Sequence, residues 1–262
     1  MIEKIKITVI TLATIFSITL SYYLIDRFSY AKEMQLYPIG IDNDTILRVG
    51  IIGDSWVAGK KLDAFLLDEF KVKGVNSMIT SSGHVGAKSK LIYQNIFKDS
   101  TDSYSSKFVI TSHPDYCIVI AGVNDALVQV GAKFYSHHLS LIINILLRNN
   151  IIPVIVELPK FGIIKATNDM NWINKTRFKI FSSFNNKGEI DNIETYRSNL
   201  NNLLIGQGLN DKIIFIDFDK VCSSYEECKE IYKNDGIHLN ERGNKLLSQA
   251  IAHELLKRIT TR

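Results

Sequence analysis

The chain is poor in the residues that staple or break a fold: 4 prolines and 3 cysteines in 262 residues, with no biased tract. So few cysteines exclude a disulfide-built miniprotein, and this length buries a sizeable core as one large domain or two small ones. With 46% apolar and 22% charged residues, neither a disordered chain nor a collagen-like repeat is compatible with the composition. Charge of one sign is also scarce. A net +4 is too small to imply a nucleic-acid partner. Cys222 and Cys228 are close enough in sequence to pair in an oxidising compartment, whereas Cys117 sits in an apolar run.

What is present begins at the N-terminus. From Ile7 to Ile25 nineteen residues carry no charge, flanked by Lys4 and Lys6 before and by Asp26 and Arg27 after. That length spans a bilayer, and the Thr and Ser hydroxyls within it can bond to the preceding helical turn. Residues 1–31 are therefore expected to form a single-pass membrane anchor, N-terminus inside, with 32–46 as a polar stalk. The globular part would face the periplasm or exterior of a bacterial cell. A cleaved signal peptide is the rival: Ser29-Tyr30-Ala31 loosely resembles a cleavage site, but Asp26-Arg27 separates it from the apolar run.

Residues 47–262 alternate short β-branched runs with helical patterns, the pattern of a parallel sheet covered on both faces. Strands are expected at 47–52, 75–79, 116–121, 151–157 and 213–217. Helices are expected at 57–72, 87–98, 134–149, 190–205 and 241–258. The expected fold is α/β, a three-layer α/β/α sandwich with a five-stranded parallel sheet of flavodoxin-like type. Residues 159–189 match neither period and are expected as an insertion above the sheet edge. Its Phe161, Trp172, Phe178, Phe181 and Phe184 could line a ligand groove, or simply pack the insertion down.

Ligands in such folds bind beyond the carboxyl ends of the strands, and four short patterns fall there. Gly53-Asp54-Ser55-Trp56 follows the first strand; Ser55 is a candidate nucleophile or a plain helix N-cap. Gly83-His84-Val85-Gly86 follows the second, where the N–H of Gly86, with Gly83 in reserve, could aim at the same space. Gly122-Val123-Asn124-Asp125 follows the third; Asn124 can offer an amide N–H to an oxyanion while Asp125 anchors the turn. Asp235-Gly236-Ile237-His238-Leu239-Asn240 precedes the last helix, and an Asp three residues before a His can fix its tautomer and leave the other nitrogen as a base. The remaining histidines, His84, His113, His137, His138 and His253, have no partners at ligand spacing and are expected on the surface or on helices. No metal and no cofactor is implied.

In their order and spacing over roughly residues 46–258, these four blocks resemble those of the SGNH (GDSL-like) hydrolase family. The resemblance implies a serine esterase with Ser55 as nucleophile, His238 as general base and Asp235 as its orienting partner. It further implies an oxyanion hole from the Ser55 backbone, Gly86 and Asn124. Trp56 stands where the family often has leucine, which would make the neighbouring wall bulkier. An α/β-hydrolase is disfavoured, since the G-x-S-x-G elbow is missing.

Together with an outward-facing anchor, the resemblance points to an acylated carbohydrate or lipid as substrate, with removal of O-acetyl groups from a cell-envelope or host carbohydrate first. A lysophospholipase or thioesterase, an acyltransferase using the same serine, and an inactive envelope-binding module are the alternatives.

Overall fold

The computed structural model describes residues 14–21, 46–128, 130–160, 172–173, 176, 193–224 and 227–259. The chain divides into two units, Met1–Tyr37 and Pro38–Arg262. In the first, residues 14–21 are helical, and the Thr19 hydroxyl donates to the Ile15 carbonyl at 2.7 Å. Among the described residues no helix is long and apolar enough to cross a membrane. Most of the expected span 7–25, and the stalk apart from Ile46, lies outside them.

The second unit is built on five strands: β1 Leu47–Gly53, β2 Ser77–Gly83, β3 Tyr116–Ile120, β4 Ile152–Val156 and β5 Ile214–Ile216. All pairs are parallel, and the order across the sheet is β2-β1-β3-β4-β5. β1, β3, β4 and β5 are largely buried apolar runs, as a sheet covered on both faces demands; all five residues of β3 are buried. The principal helices are α1 Ser55–Ala58, α2 Lys61–Val72, α3 Ser89–Asn95, α4 Lys107–Thr111, α5 Val123–Leu127, α6 Ala132–Arg148, α7 Ile193–Gly206 and α8 Glu241–Ile259. α2 packs on α8, while α6 packs on both α3 and α7, giving the two helical layers of the three-layer fold. Pro153 is tolerated inside β4 because Ile152 bonds toward β3 and β5 pairs only from Val154, so the missing N–H falls where no strand needs it.

Most element boundaries fall within a few residues of the sequence reading, and the short helices α4 and α5 were not expected; two departures have a visible physical cause. β2 begins two residues later than expected and runs on through Thr80-Ser81-Ser82 to Gly83, a small polar run without the apolar period of a buried strand. They stay in it because β1 pairs with them as far as Gly53 opposite Gly83, and because partners satisfy the buried Ser81 and Ser82 hydroxyls. Ser81 donates to Asp63 and accepts from Lys60. The expected helix 57–72 is broken at Gly59-Lys60, where Lys60 takes the left-handed φ of 55° and turns its ammonium inward onto Ser81.

Of the insertion expected at 159–189, only Pro159, Lys160, Trp172, Ile173 and Thr176 are described; Trp172 is exposed, and Phe161, Phe178, Phe181 and Phe184 lie outside the described residues. The chain on either side is tied together. Lys160 and Arg197 both bond Asp219 just past β5, the guanidinium through two bonds of 2.9 Å. Partial burial raises the Asp219 pKa, but these cations outweigh it and hold the carboxyl below its ordinary range.

Candidate active site

The strand order reverses between β1 and β3, and this switch point opens the crevice in which such sheets place their ligands. Ser55 leaves the carboxyl end of β1 as the first residue of α1, with Asp54 before it accepting the Trp56 N–H at 3.0 Å. Its own N–H is at a helix position without an intrahelical acceptor. Asp54 is fully buried, with one carboxylate oxygen lacking a hydrogen-bond partner among the described residues. Burial pushes its pKa up to about 7, against the Trp56 N–H and the His238 ring, which pull it down.

His238 arrives from the other end of the chain. Its loop is a narrow turn: Lys233 N–H donates to the His238 carbonyl at 2.7 Å, Tyr232 bridges to Leu239, and Gly236 takes φ 66°. Asn240 closes the turn, its N–H on Ile231 and its side-chain oxygen accepting from Gly243 at the start of α8. Gly243 has to be glycine, because a Cβ there would sit 2.4 Å from the Ile231 carbonyl. Asp235 uses both oxygens: Oδ1 accepts the Ile237 and His238 N–H groups at 2.9 Å each, and Oδ2 accepts the His238 Nδ1–H at 2.6 Å. Burial would raise the Asp235 pKa, but the bonds from the His238 ring and the two N–H groups hold it below the ordinary carboxylate value. With the ring proton committed to Nδ1, Nε2 is the acceptor, and the Ser55 hydroxyl donates to it at 2.9 Å. Hydroxyl, imidazole and carboxylate therefore form one continuous chain, with the imidazole and carboxylate about a third exposed.

The other two loops meet beside Ser55's strand. Asn124, following β3, donates its side-chain amide to the Ala87 carbonyl at 3.0 Å. The neighbouring Asp125 is buried and accepts both the N–H and the hydroxyl of Ser89, at 2.8 and 2.6 Å. Burial raises the Asp125 pKa, and the two Ser89 bonds pull against that rise. Asp125 thus anchors the turn, as expected, but through a partner at the start of α3, Ser89, to which sequence reasoning assigned no role. Gly86 lies between with φ 73°, exposed, and a Cβ there would meet nothing within 4 Å. Gly83, the reserve choice, is packed against α1, where a Cβ would sit 2.3 Å from the Ala58 nitrogen.

Two expectations are corrected. His84 is neither on the surface nor on a helix. It is buried at the end of β2, where Ser82 gives its only proton to the Ser105 carbonyl and so accepts from His84 Nε2 at 3.1 Å. Burial lowers the His84 pKa to about 4, with Lys98 and Lys60 adding to the effect, so the ring is neutral. Trp56 does not form a wall of the site. Its indole turns into the core, 5% exposed, with its ring centroid 5.7 Å from that of Phe218. His113, His137 and His253 are exposed, as expected. Among the described residues no group of His, Cys, Asp and Glu is arranged to hold a metal ion.

Comparison with known proteins identifies the family and the fold. No curated protein sequence matches. The sequence profile of the GDSL-like Lipase/Acylhydrolase family matches residues 51–246. Solved structures of similar fold include a lipase/acylhydrolase from Enterococcus faecalis, at 17% identity and TM-score 0.57 over 80% of this chain and 96% of that one. An esterase, EstA, from Pseudoalteromonas sp. is similar at 12% identity and TM-score 0.56, over 82% and 99% of the two chains. An acetyl xylan esterase, AlAXEase, is similar at 17% identity and TM-score 0.56, over 81% and 99%. With three quarters of its length matched by the family profile and the family's fold around it, the chain belongs to the GDSL-like lipase/acylhydrolase family of carboxylic ester hydrolases.

Proposed function

We propose that the protein is a serine esterase that removes short acyl groups, O-acetyl above all, from a cell-envelope or host carbohydrate. The observation that carries the mechanism is the unbroken chain from the Ser55 hydroxyl through His238 to Asp235. Serine attacks only if its proton leaves during the step, and Nε2 of His238 is in place to take it. Asp235 holds the ring in the required tautomer and stabilises the imidazolium that forms. The proton then passes to the departing alcohol. The acyl group rests on Ser55 until water, deprotonated by the same histidine, releases it as the acid.

The oxyanion of each tetrahedral intermediate would be met by the Ser55 and Gly86 N–H groups and by the Asn124 amide. One Asn124 N–H is held by Ala87, which orients the group and leaves the second for the oxyanion. Gly86 is favoured over Gly83 because its side of the loop is open, whereas Gly83 is needed for packing on α1.

The choice of substrate rests on the uncharged segment 7–25, read as an anchor that holds the enzyme at the outer face of the membrane, and on the aromatic residues of 159–189. The fold itself does not select the acyl group, since it serves both a lipase and an acetyl xylan esterase. The deciding experiment incubates the full chain with acetylated polysaccharides and acylated lipids and identifies the released acid by mass spectrometry. Acetate from polysaccharide is expected; release confined to long-chain acids from lipid would replace this proposal with a lysophospholipase.

A further inference from the structure

The segment joining β5 to the His238 loop contains two of the three cysteines, all of which are free thiols. Cys222, 3% exposed, follows the turn Phe218–Lys220 and is held by its N–H on the Phe218 carbonyl at 2.8 Å. Its thiol donates to the Ser224 carbonyl at 3.2 Å, and the same oxygen accepts the Cys228 N–H at 3.2 Å. One acceptor shared in this way draws the two cysteines together. Cys222 belongs to the core, and the partly exposed Cys228 packs against it.

We propose that Cys222 and Cys228 close into an intrachain disulfide when the protein meets a thiol–disulfide oxidant, and that the bond clamps the base of the loop carrying His238. Cys228, the accessible thiol, attacks the oxidant's disulfide as thiolate and releases one thiol. Cys222 then loses its proton and displaces the second. The protein gives up two electrons and two protons, and one oxidant disulfide becomes two thiols. Burial, reinforced by the adjoining Cys228, pushes the Cys222 thiol up to about 12, so closure is slow at neutral pH and quickens in alkali.

The mechanical connection to the site is short. Cys228 leads directly into the turn Lys229–Ile231, whose Ile231 N–H returns to the Cys228 carbonyl at 2.9 Å. Ile231 accepts from Asn240, Tyr232 bridges to Leu239 and Lys233 bonds the His238 carbonyl. A restraint at Cys228 therefore acts on the segment against which His238 is folded. Linking residues so close together removes only a short loop's worth of unfolded-state freedom, so the gain is moderate.

The test exposes the full chain to a buffer of oxidised and reduced glutathione at alkaline pH, quenches with acid, then alkylates the unfolded protein with N-ethylmaleimide. Alkylation of Cys117 alone, a mass lower by two hydrogens before alkylation and a cross-linked peptide joining Cys222 to Cys228 are expected. Alkylation at all three cysteines, stable glutathione adducts, or a link involving Cys117 would overturn the proposal. The oxidised protein should melt roughly 5 °C above the reduced one, and Cys228→Ser, a change at a partly exposed site, should abolish that difference. Equal melting of the oxidised and reduced wild-type forms would refute the clamp. Because these readouts count thiols and stability, they stand or fall separately from the role of Ser55.

Discussion

The side-chain amide of Asn124 donates to the carbonyl of Ala87 at 3.0 Å, so the loop after β3 holds the loop after β2 in place beside Ser55. The adjacent Asp125 makes the same connection twice more, through Ser89. The buried carboxylate and the partly exposed amide together fasten the two loops by three bonds.

Asn124→Ala should therefore spare the fold and harm the chemistry. The Asp125–Ser89 bonds remain, so the melting temperature should stay close to wild type. The turnover number for p-nitrophenyl acetate should fall roughly 10²–10³-fold, about 3–4 kcal/mol of transition-state stabilisation. A large loss of stability with unchanged turnover would show that the amide serves only the loop.

Ser55→Ala should abolish both ester cleavage and labelling by a fluorophosphonate probe, and His238→Ala should do nearly the same. Asp235→Asn keeps the size of the side chain but no longer enforces the Nδ1–H tautomer. Its turnover should drop on the order of 10⁴-fold while thermal stability changes little. A Ser55→Ala protein that cleaves esters at the wild-type rate would end the mechanism.

Gly83 and Gly86 should separate by assay. At Gly83 an added methyl would meet the α1 backbone at 2.3 Å, so Gly83→Ala should cost roughly 1–3 kcal/mol, read by urea unfolding. At Gly86 there is space, and only the left-handed φ of 73° resists, at a cost of roughly 1–2 kcal/mol. If Gly86 supplies an oxyanion N–H, Gly86→Ala should lose far more turnover than this change in stability accounts for.

Asp54 makes the fold less stable as pH rises from acid to neutral. Its pKa is raised from 3.8 to about 7, so the folded state holds a proton that the unfolded chain has released, and the stabilising contribution present below about pH 4 is lost as pH rises toward 7. At 1.36 kcal/mol per pH unit, wild type should lose on the order of 3 kcal/mol relative to Asp54→Asn between pH 5 and pH 8. Asparagine keeps an oxygen for the Trp56 N–H and carries no charge to bury. Parallel stability curves for the two proteins across this range would disprove the assignment.

The alternation of strand and helix, most of the apolar strands, and the three blocks that follow β1, β2 and β3 were legible from residue order, because parallel sheets need continuous buried runs and their ligand sites follow the carboxyl ends; the Asp235–His238 block lies well past β5 and was legible from its own spacing. Ser55, Asp235 and His238 could be named as a set because Asp235 and His238 are close in sequence and Ser55 directly follows a strand. Local pattern fails where a polar residue is buried by a partner distant in sequence. Ser81 stays in β2 only because Asp63 and Lys60 receive it, and His84 is buried only because Ser82 and the ring of Tyr104 enclose it. Trp56 turned inward for the same reason, since its neighbour Phe218 comes from beyond β5.

The sequence by itself determined the layered fold and the chemistry available at its rim, since hydrophobic period and residue type are local properties of the chain. Tertiary structure alone decided that the Ser55 hydroxyl meets a nitrogen 183 residues away at 2.9 Å, that Gly83 packs while Gly86 stays open, and that Asp54 is left with an oxygen unpartnered among the described residues. These are matters of distance and desolvation, and both are set only when strands far apart in the chain are brought side by side.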